Sequence, residues 1–353
     1  MHSLALLLLG LVPAAERDFA VALENEAARV QRESREIREL DPSLKESKDL
    51  IDSFIGRTSE ALKAHRYYVG LEELGRARVI LDAIQTVRDN EPAIQNGMPG
   101  FEGEWAKAAV AMKNGNGKLV TSAELPAAVL AIAESAHGKA IPVLDAARAW
   151  AAENDARFGF YYLGSAKGAA NFAGFCSSLK IARQRPALPM RSVSLELNEL
   201  QKKVLSAYNP PASIERHSEF IRLNGALKSA GELDAAELYS GALYTYLDAV
   251  LQYAAFGAEI PNAHKKAKLR KDLEALQQRL HGSERDESIA ELFLERAAAQ
   301  LAAKSPNDSV WKNVEAIVDR VLPAYFAVLE PQEKPQEKTS ADTTVTLIRW
   351  PYT

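Results

Sequence analysis

The sequence has little of what catalytic and disulfide-stabilised proteins usually carry. Among its 353 residues there is one cysteine, Cys176, so no disulfide can form within the chain. Aromatic residues make up 7% of the chain, and 43 Lys and Arg nearly balance 47 Asp and Glu. Because the net charge is only -4, no global field attracts polyanions, and we expect no nucleic-acid partner.

Signatures of metal, phosphate and nucleophile sites are also missing. Glu134 and His137 in "ESAH" have the spacing of a di-iron bundle, but that site needs a second such pair and two more glutamates. His137 is instead interpreted as a residue at a helix end, before Gly138. In "NGNGKLVTS", Leu119 follows Lys118 where a phosphate loop needs Ser or Thr. The sequence predicts no metal, no cofactor and no catalytic residue.

Long apolar runs are absent as well. The longest uncharged apolar stretch near the start, Leu4 to Val12, is too short to span a bilayer, so we expect no stable membrane span. Its length and the small residues before Glu16 are typical of a secretory signal over residues 1–14, although no Lys or Arg precedes it. This pattern predicts a periplasmic or secreted protein that begins near Ala15. A buried first helix is the alternative.

Helical periodicity is what the sequence does have. Hydrophobic residues make up 47% of the chain, enough to bury a core. They recur at helical spacing in most segments between residues 15 and 330, with turn-forming residues at 91–104 and 113–118 and a Pro-rich boundary near 185–192. The predicted fold is all-α, an array or bundle of about a dozen helices. The predicted segments are 16–40, 43–63, 66–88, 122–137, 141–154, 156–183, 194–208, 213–230, 232–256, 262–281, 284–303 and 308–329.

Three helices share a local pattern in which tyrosine lies two residues before glycine. The pattern is present in "YYVG" at 67–70, "YYLG" at 161–164 and "LYSG" at 238–241. Glycine inside a helix costs about 1 kcal/mol relative to alanine, so its reuse indicates close helix crossings. The pattern is either a degenerate repeat or chance similarity among Ala- and Leu-rich helices.

One stretch resembles a known family. In residues 220–250, the side chains at the first helix and turn resemble those of a tetratricopeptide repeat: Phe220, Leu223, Leu227, Gly231, Leu233 and Ala236. The pattern then departs from the family, because Ser240, Leu243 and Asp248 stand where it tends to have an aromatic, a small residue and a proline. The resemblance covers about one unit. It implies a helical array with a concave face, and no particular ligand.

The segment from 157 to 175 is the most aromatic part of the chain. Its rings could line an apolar ligand pocket with tyrosine hydroxyls as polar groups, and the candidate residues are Phe158, Tyr161, Tyr162, Phe172 and Phe175. Small residues follow them in "GSAKGAANFAG", which is equally typical of a closely packed central helix. Core packing is therefore the alternative interpretation.

The end of the chain is unlike the rest. Residues 331–342 contain a tandem Pro-Gln-Glu-Lys and predict a flexible linker. Residues 343–353, "TTVTLIRWPYT", are mostly β-branched and aromatic, which favours a strand that needs an edge to pair with. The edge could be offered within the chain by residues 118–122 or 191–197. If it belongs instead to a protein partner, the anchoring side chains would be Val345, Leu347, Arg349, Trp350 and Tyr352.

These observations lead to one main functional hypothesis and one rival. The main hypothesis is an exported, soluble, helical binding or scaffold protein of the cell envelope, with the tail as a candidate device for attachment to a protein partner. The rival is an enzyme or small-ligand binder with a site around residues 157–175. A deep cavity with convergent ionisable groups would favour the rival, and a shallow groove the scaffold.

Overall fold

A computed structural model describes residues 14–37, 42–115, 124–153, 155–181, 183–210, 214–255, 259–302 and 306–329. These residues form α-helices, short 3-10 turns and a π-helical segment, without a strand, which confirms the all-α prediction. The helices are α1 (Ala14–Glu36), α2 (Lys45–Lys63), α3 (Tyr67–Asp89), α4 (Glu91–Gln95), α5 (Met98–Gly115), α6 (Ala127–Glu153), α7 (Ala156–Ser178), α8 (Ser194–Ala207), α9 (His217–Ala235), α10 (Tyr239–Ala255), α11 (Ala263–His281), α12 (Ser288–Leu301), α13 (Asp308–Ala316) and α14 (Leu322–Leu329).

We call helices α1–α7 the first half of the molecule and helices α8–α14 the second half. Helix α7 lies at the centre of the first half. It packs closely along α3 and α6, and α5 covers a further side. In the second half, α10 packs against α9, α13 and α14, and also contacts α6 of the first half. One large hydrophobic cluster runs through both halves, and a second cluster lies where α5, α6 and α7 meet.

Close helix crossings occur where the sequence pattern predicts them. A Cβ on Gly164 of α7 would lie 2.6 Å from the Cα of Ala83 in α3, and one on Gly241 of α10 would lie 2.6 Å from the Cβ of Glu134 in α6. A Cβ on Gly70 of α3 would lie 3.2 Å from the Leu62 side chain of α2, the other helix of the same hairpin. All three glycines therefore lie where their helix meets another helix, and the approach is closest at Gly164 and Gly241, which confirms the predicted close crossings.

Three stretches differ from the sequence prediction: the predicted loop at 91–104, the predicted break after residue 137, and the predicted break after residue 230, which lies inside α9. Helices α4 and α5 occupy part of the region predicted as loop, because Pro92 and Pro99 lie in their first turns and Phe101 is fully buried. Helix α6 continues through the predicted break, with Pro142 inside it. His137 therefore does not lie at a helix end, and that interpretation was wrong. Tertiary burial of one side of α6 outweighs the local breaking signal.

Pro323 lies just after a change in helical winding. Residues Ile317–Val321 between α13 and α14 form a π-helical segment, and Pro323 follows it at the start of α14. Proline has no N–H to donate to the preceding turn, and a locally widened turn accommodates it. The sequence predicts a kink at Pro323, and the structure has a π-helical segment just before this residue.

Helix α6 is long and apolar enough, by length and composition alone, to be a candidate membrane span. An 18-residue window of this 27-residue helix has a mean hydropathy of 1.2, and 56% of that window is buried inside the protein. The buried core helix of a soluble protein passes the same test, so this finding is weak as an indication of a membrane.

Candidate ligand cavity

The turn between α2 and α3 brings several polar side chains to one place. His65 has a positive φ of 55°, and the Arg66 N–H donates to the Ala61 carbonyl at 2.9 Å, which ends α2 and reverses the chain. The His65 ring bonds the Tyr67 hydroxyl at 2.8 Å. This geometry places Tyr67 and Tyr68 in the first turn of α3, beside the opening between α3 and α12.

Glu295 of α12 lies against that first turn. Its carboxyl group accepts a hydrogen bond from the Val69 N–H at 3.0 Å, and the Tyr68 backbone contributes a second. A helix start carries N–H groups without helical partners, so a carboxyl group stabilises it. Among the described residues Glu295 forms no ion pair with a Lys, Arg or His. It is thus a carboxyl group held by backbone donors alone.

A cavity of about 690 Å³ opens beside this helix start, and we call it the α3 cavity. It is formed by α1, the α2–α3 turn, the segment after α7, and helices α11 and α12. Its lining residues are Phe19, Ala64, His65, Arg66, Tyr67, Tyr68, Pro126, Ile181, Arg183, Gln184, Arg185, Glu274, Gln277, Gln278, Leu280, His281, Asp286, Glu291, Leu294, Glu295 and Ala298.

Three aromatic rings form one side of the α3 cavity. The Phe19 ring centre lies 5.9 Å from that of Tyr67 and 6.0 Å from that of Tyr68, both in tilted arrangements. Phe19 and Tyr67 are buried, whereas Tyr68 is partly exposed to the cavity. Because an aromatic ring carries negative charge on its face, such a wall attracts cations.

Two arginines of the cavity are already engaged in holding the fold together. Arg183 pairs with Asp286 at 3.0 Å, and Asp286 also accepts from the Ala127 N–H at the start of α6. Arg185 pairs with Glu291 at 3.2 Å and donates to the Leu280 carbonyl at the end of α11. These pairs leave Glu295 and Glu274 as the carboxyl groups of the cavity lining that have no cationic partner among the described residues.

The surroundings of Glu295 favour its neutral form. Burial away from water and the nearby Glu291 and Glu72 together raise the pKa of Glu295 to about 8, against the opposing effect of the backbone donors at Val69 and Tyr68. Burial likewise raises the pKa of the Tyr68 hydroxyl, which hydrogen bonds with Ser288. The cavity therefore holds a carboxyl group that is mostly protonated at neutral pH and would ionise beside a bound cation.

The predicted aromatic-pocket residues all lie on α7, on several of its sides. Phe158 is 49% exposed, Tyr162 stacks on Trp150 at 5.4 Å, and the Tyr161 hydroxyl lies 3.3 Å from that of Ser47. None of the five predicted residues lines the α3 cavity.

Phe172 and Phe175 pack against each other, with ring centres 6.2 Å apart. Phe172 fills the notch left by Gly75, where a Cβ would lie 2.4 Å from its ring. Phe172 is therefore a core residue of the α3–α7 contact, in agreement with the alternative interpretation that residues 157–175 are a closely packed core helix. The ligand pocket around residues 157–175 stays a prediction.

The other predicted features are placed as follows. Val345, Leu347, Arg349, Trp350 and Tyr352 lie outside the described residues, as do residues 1–13, so tail binding and export stay predictions. The Cys176 thiol is fully buried, and burial raises its pKa. In the described part of the chain, no three His, Cys, Asp or Glu side chains are arranged to hold a metal ion.

Comparison with known proteins gives no family. No protein-family model, no curated protein and no solved structure matches the chain. The tetratricopeptide resemblance over residues 220–250 therefore stays a prediction, although those residues do form the α9–α10 helical hairpin.

The raised pKa of Glu295 makes the stability depend on pH. The folded state holds this proton up to a pH of about 8, whereas the unfolded chain releases it near 4.5, so folding loses stability as pH rises through that window. Each pKa unit corresponds to about 1.4 kcal/mol. We expect Glu295→Gln to match the wild type near pH 4.5 and to be more stable than it at pH 8.5, measured by urea unfolding.

The control is Glu24→Gln, which changes an exposed glutamate in the middle of α1. It should shift the unfolding midpoint equally at both pH values. A Glu295→Gln difference that does not grow with pH would contradict the idea that burial holds a proton on Glu295.

Proposed function

We propose that this protein is a binding protein and that the α3 cavity takes a small ligand carrying a positively charged amine. The observation that carries the proposal is the Glu295 carboxyl group, which has backbone donors but no cationic partner among the described residues, beside the rings of Phe19, Tyr67 and Tyr68. A carboxylate and aromatic faces are the two groups that proteins use to recognise organic cations.

The charge balance of the cavity supports a cationic ligand. Its lining has four carboxyl groups and three guanidinium groups, and two of these guanidinium groups are paired. Once these pairs are set aside, the unpaired charged groups of the described lining are the carboxyl groups of Glu295 and Glu274 and the guanidinium group of Arg66. An ammonium group next to Glu295 would replace the proton that the carboxyl now holds, and it would keep the hydrogen bonds from α3 intact.

The state of the polar groups supports binding rather than catalysis. Arg183, Arg185, Asp286 and Glu291 each bond a neighbouring helix end or one another, so their positions are structural. Catalysis by a side chain requires a nucleophile or acid that is free to reach the substrate, usually with a base beside it. Glu295 has a raised pKa but no base or nucleophile paired with it in the described part of the chain, and its surroundings suit the recognition of charge.

The test uses isothermal titration calorimetry with 2-phenylethylamine at pH 6, in two buffers that differ in ionisation enthalpy. The amine should bind, and about one proton should be released for each amine bound at the α3 cavity, because the neutral Glu295 carboxyl ionises beside the ammonium group. Glu295→Gln should weaken that binding at least tenfold. The neutral analogue 2-phenylethanol should bind at least tenfold more weakly than the amine.

A blocking variant provides the matched control. Gln278→Trp places a large ring at an exposed lining position without touching Glu295, and it should also reduce binding. If the amine and the alcohol bind equally, or if Glu295→Gln binds as the wild type does, the proposed function is wrong.

A further inference from the structure

The α9–α10 turn repeats the α2–α3 turn atom for atom in its backbone hydrogen bonds. Glu237 has a positive φ of 60°, at the position that His65 occupies in the first turn. The Leu238 N–H donates to the Leu233 carbonyl at 3.0 Å, as the Arg66 N–H donates to the Ala61 carbonyl at 2.9 Å. In this alignment Tyr239 corresponds to Tyr67.

The same alignment pairs the two acidic groups that bind these helix starts. Glu134 of α6 accepts a hydrogen bond from the Gly241 N–H at 2.6 Å, and the Ser240 backbone adds a second. Gly241 corresponds to Val69, whose N–H bonds Glu295. Glu134 and Glu295 are each the eighth residue of their helices, α6 and α12. The two arrangements therefore agree in turn, helix start and acidic residue.

A second cavity lies at the second helix start, and we call it the α10 cavity. Its volume is about 390 Å³. Its lining residues are Ala127, Leu130, Glu134, Arg183, Ala187, Leu188, Met190, Glu237, Tyr239, Ser240 and Asp286. Arg183 and Asp286 line both cavities, so this ion pair separates them.

We propose that the α10 cavity is a second binding site for a small organic cation, with Glu134 as its carboxyl group and Tyr239 as its aromatic wall. The inference rests on the proposed function, because the α10 cavity corresponds in position to the α3 cavity. It also rests on the chemistry of the α10 cavity itself. The only arginine in its lining, Arg183, is paired with Asp286, which leaves Glu134 and Glu237 without a cation among the described lining residues.

Two features distinguish the second site from the first. Met190 and Leu188 add apolar side chains to the lining of the α10 cavity, and its smaller volume suits a shorter ligand. Burial also holds a proton on Glu134 and raises its pKa to about 7, against the hydrogen bonds from Gly241 and Ser240. A bound ammonium group would release this proton, as in the α3 cavity.

The number of bound amines tests the inference in the intact chain. Equilibrium dialysis with 2-phenylethylamine and with the shorter n-propylamine, at pH 6, should give two sites per chain. Glu134→Gln should lower the number to one and leave the site that depends on Glu295. Glu295→Gln should leave the site that depends on Glu134. Each glutamine keeps an oxygen that can accept from the helix start, and circular dichroism checks that each variant is folded.

Ala187→Trp serves as a second variant for the α10 cavity, because it fills an exposed lining position without touching Glu134. It too should remove one site. One site that is lost only in Glu295→Gln would overturn the second site and leave the proposed function standing. One site that is lost only in Glu134→Gln or Ala187→Trp would overturn the α3 proposal and support this one. No binding of either amine would overturn both.

Discussion

Arg296→Met is expected to lower the free energy of unfolding by about 3 to 5 kcal/mol, because it leaves Glu72 buried without its cationic partner. Arg296 of α12 donates to Glu72 of α3 at 2.8 Å, to Asp248 at 3.0 Å and to the Tyr244 hydroxyl at 2.6 Å. Tyr244 in turn donates to Glu72. The cluster joins α3, α10 and α12, so its loss should loosen the contact between the two halves of the molecule.

Urea unfolding followed by circular dichroism measures the free energy of unfolding. Two further variants show whether its loss comes from the unpaired buried charge. Lys228→Met breaks an exposed pair with Glu232 at 3.8 Å and should change the stability by less than about 1 kcal/mol. Adding Glu72→Gln to Arg296→Met removes the uncompensated charge and should recover part of the loss. A single Arg296→Met variant as stable as Lys228→Met would show that the buried cluster does not hold the halves together.

Gly164→Ala is the second change with a large expected effect. The added Cβ would lie 2.6 Å from the Cα of Ala83 and 2.7 Å from the Asp82 carbonyl oxygen, so the backbones of α3 and α7 must move apart. Overpacking of this kind costs about 1 to 3 kcal/mol, which exceeds the gain of about 1 kcal/mol from replacing glycine within a helix. We therefore expect a lower urea midpoint than in the wild type.

Gly174→Ala on the same helix is the matched control. Nothing lies within 4 Å of the position that its Cβ would occupy, and the residue is exposed. This change should leave stability unchanged or raise it by up to about 1 kcal/mol through helix propensity. If the two alanine variants shifted the midpoint in the same direction, close backbone contact at Gly164 would not be the reason for glycine there.

The fold class could be predicted from the sequence because helical periodicity is a local property. Helices α2, α3, α8 and α11 agree with the predicted segments to within a few residues. Helices α4 and α5 could not be predicted this way, because glycine and proline are read as turn formers until the burial of Phe101 is known. Local signals do not report which side of a segment another helix will cover.

The candidate site was missed for a similar reason. Glu295 lies in "LFLERAAAQ", which reads as an ordinary amphipathic helix, and its partner Val69 is far away in the sequence. A signal was present in the repeated "YYVG" and "LYSG". Aligned on their glycines, however, these motifs pair Tyr68 with Tyr239, whereas the structure pairs Tyr67 with Tyr239. A shift of one residue hides the correspondence between Glu134 and Glu295.

Each of the two helix starts is bound by a glutamate from the other half of the molecule, which affects how the molecule unfolds. Glu134 belongs to the first half and bonds α10 of the second, whereas Glu295 belongs to the second half and bonds α3 of the first. Unfolding of either half therefore removes a hydrogen-bond acceptor from a helix start in the other half. A change that destabilises one half is thus expected to destabilise both. Such mutual dependence favours a single cooperative transition over stepwise loss of separate folding units.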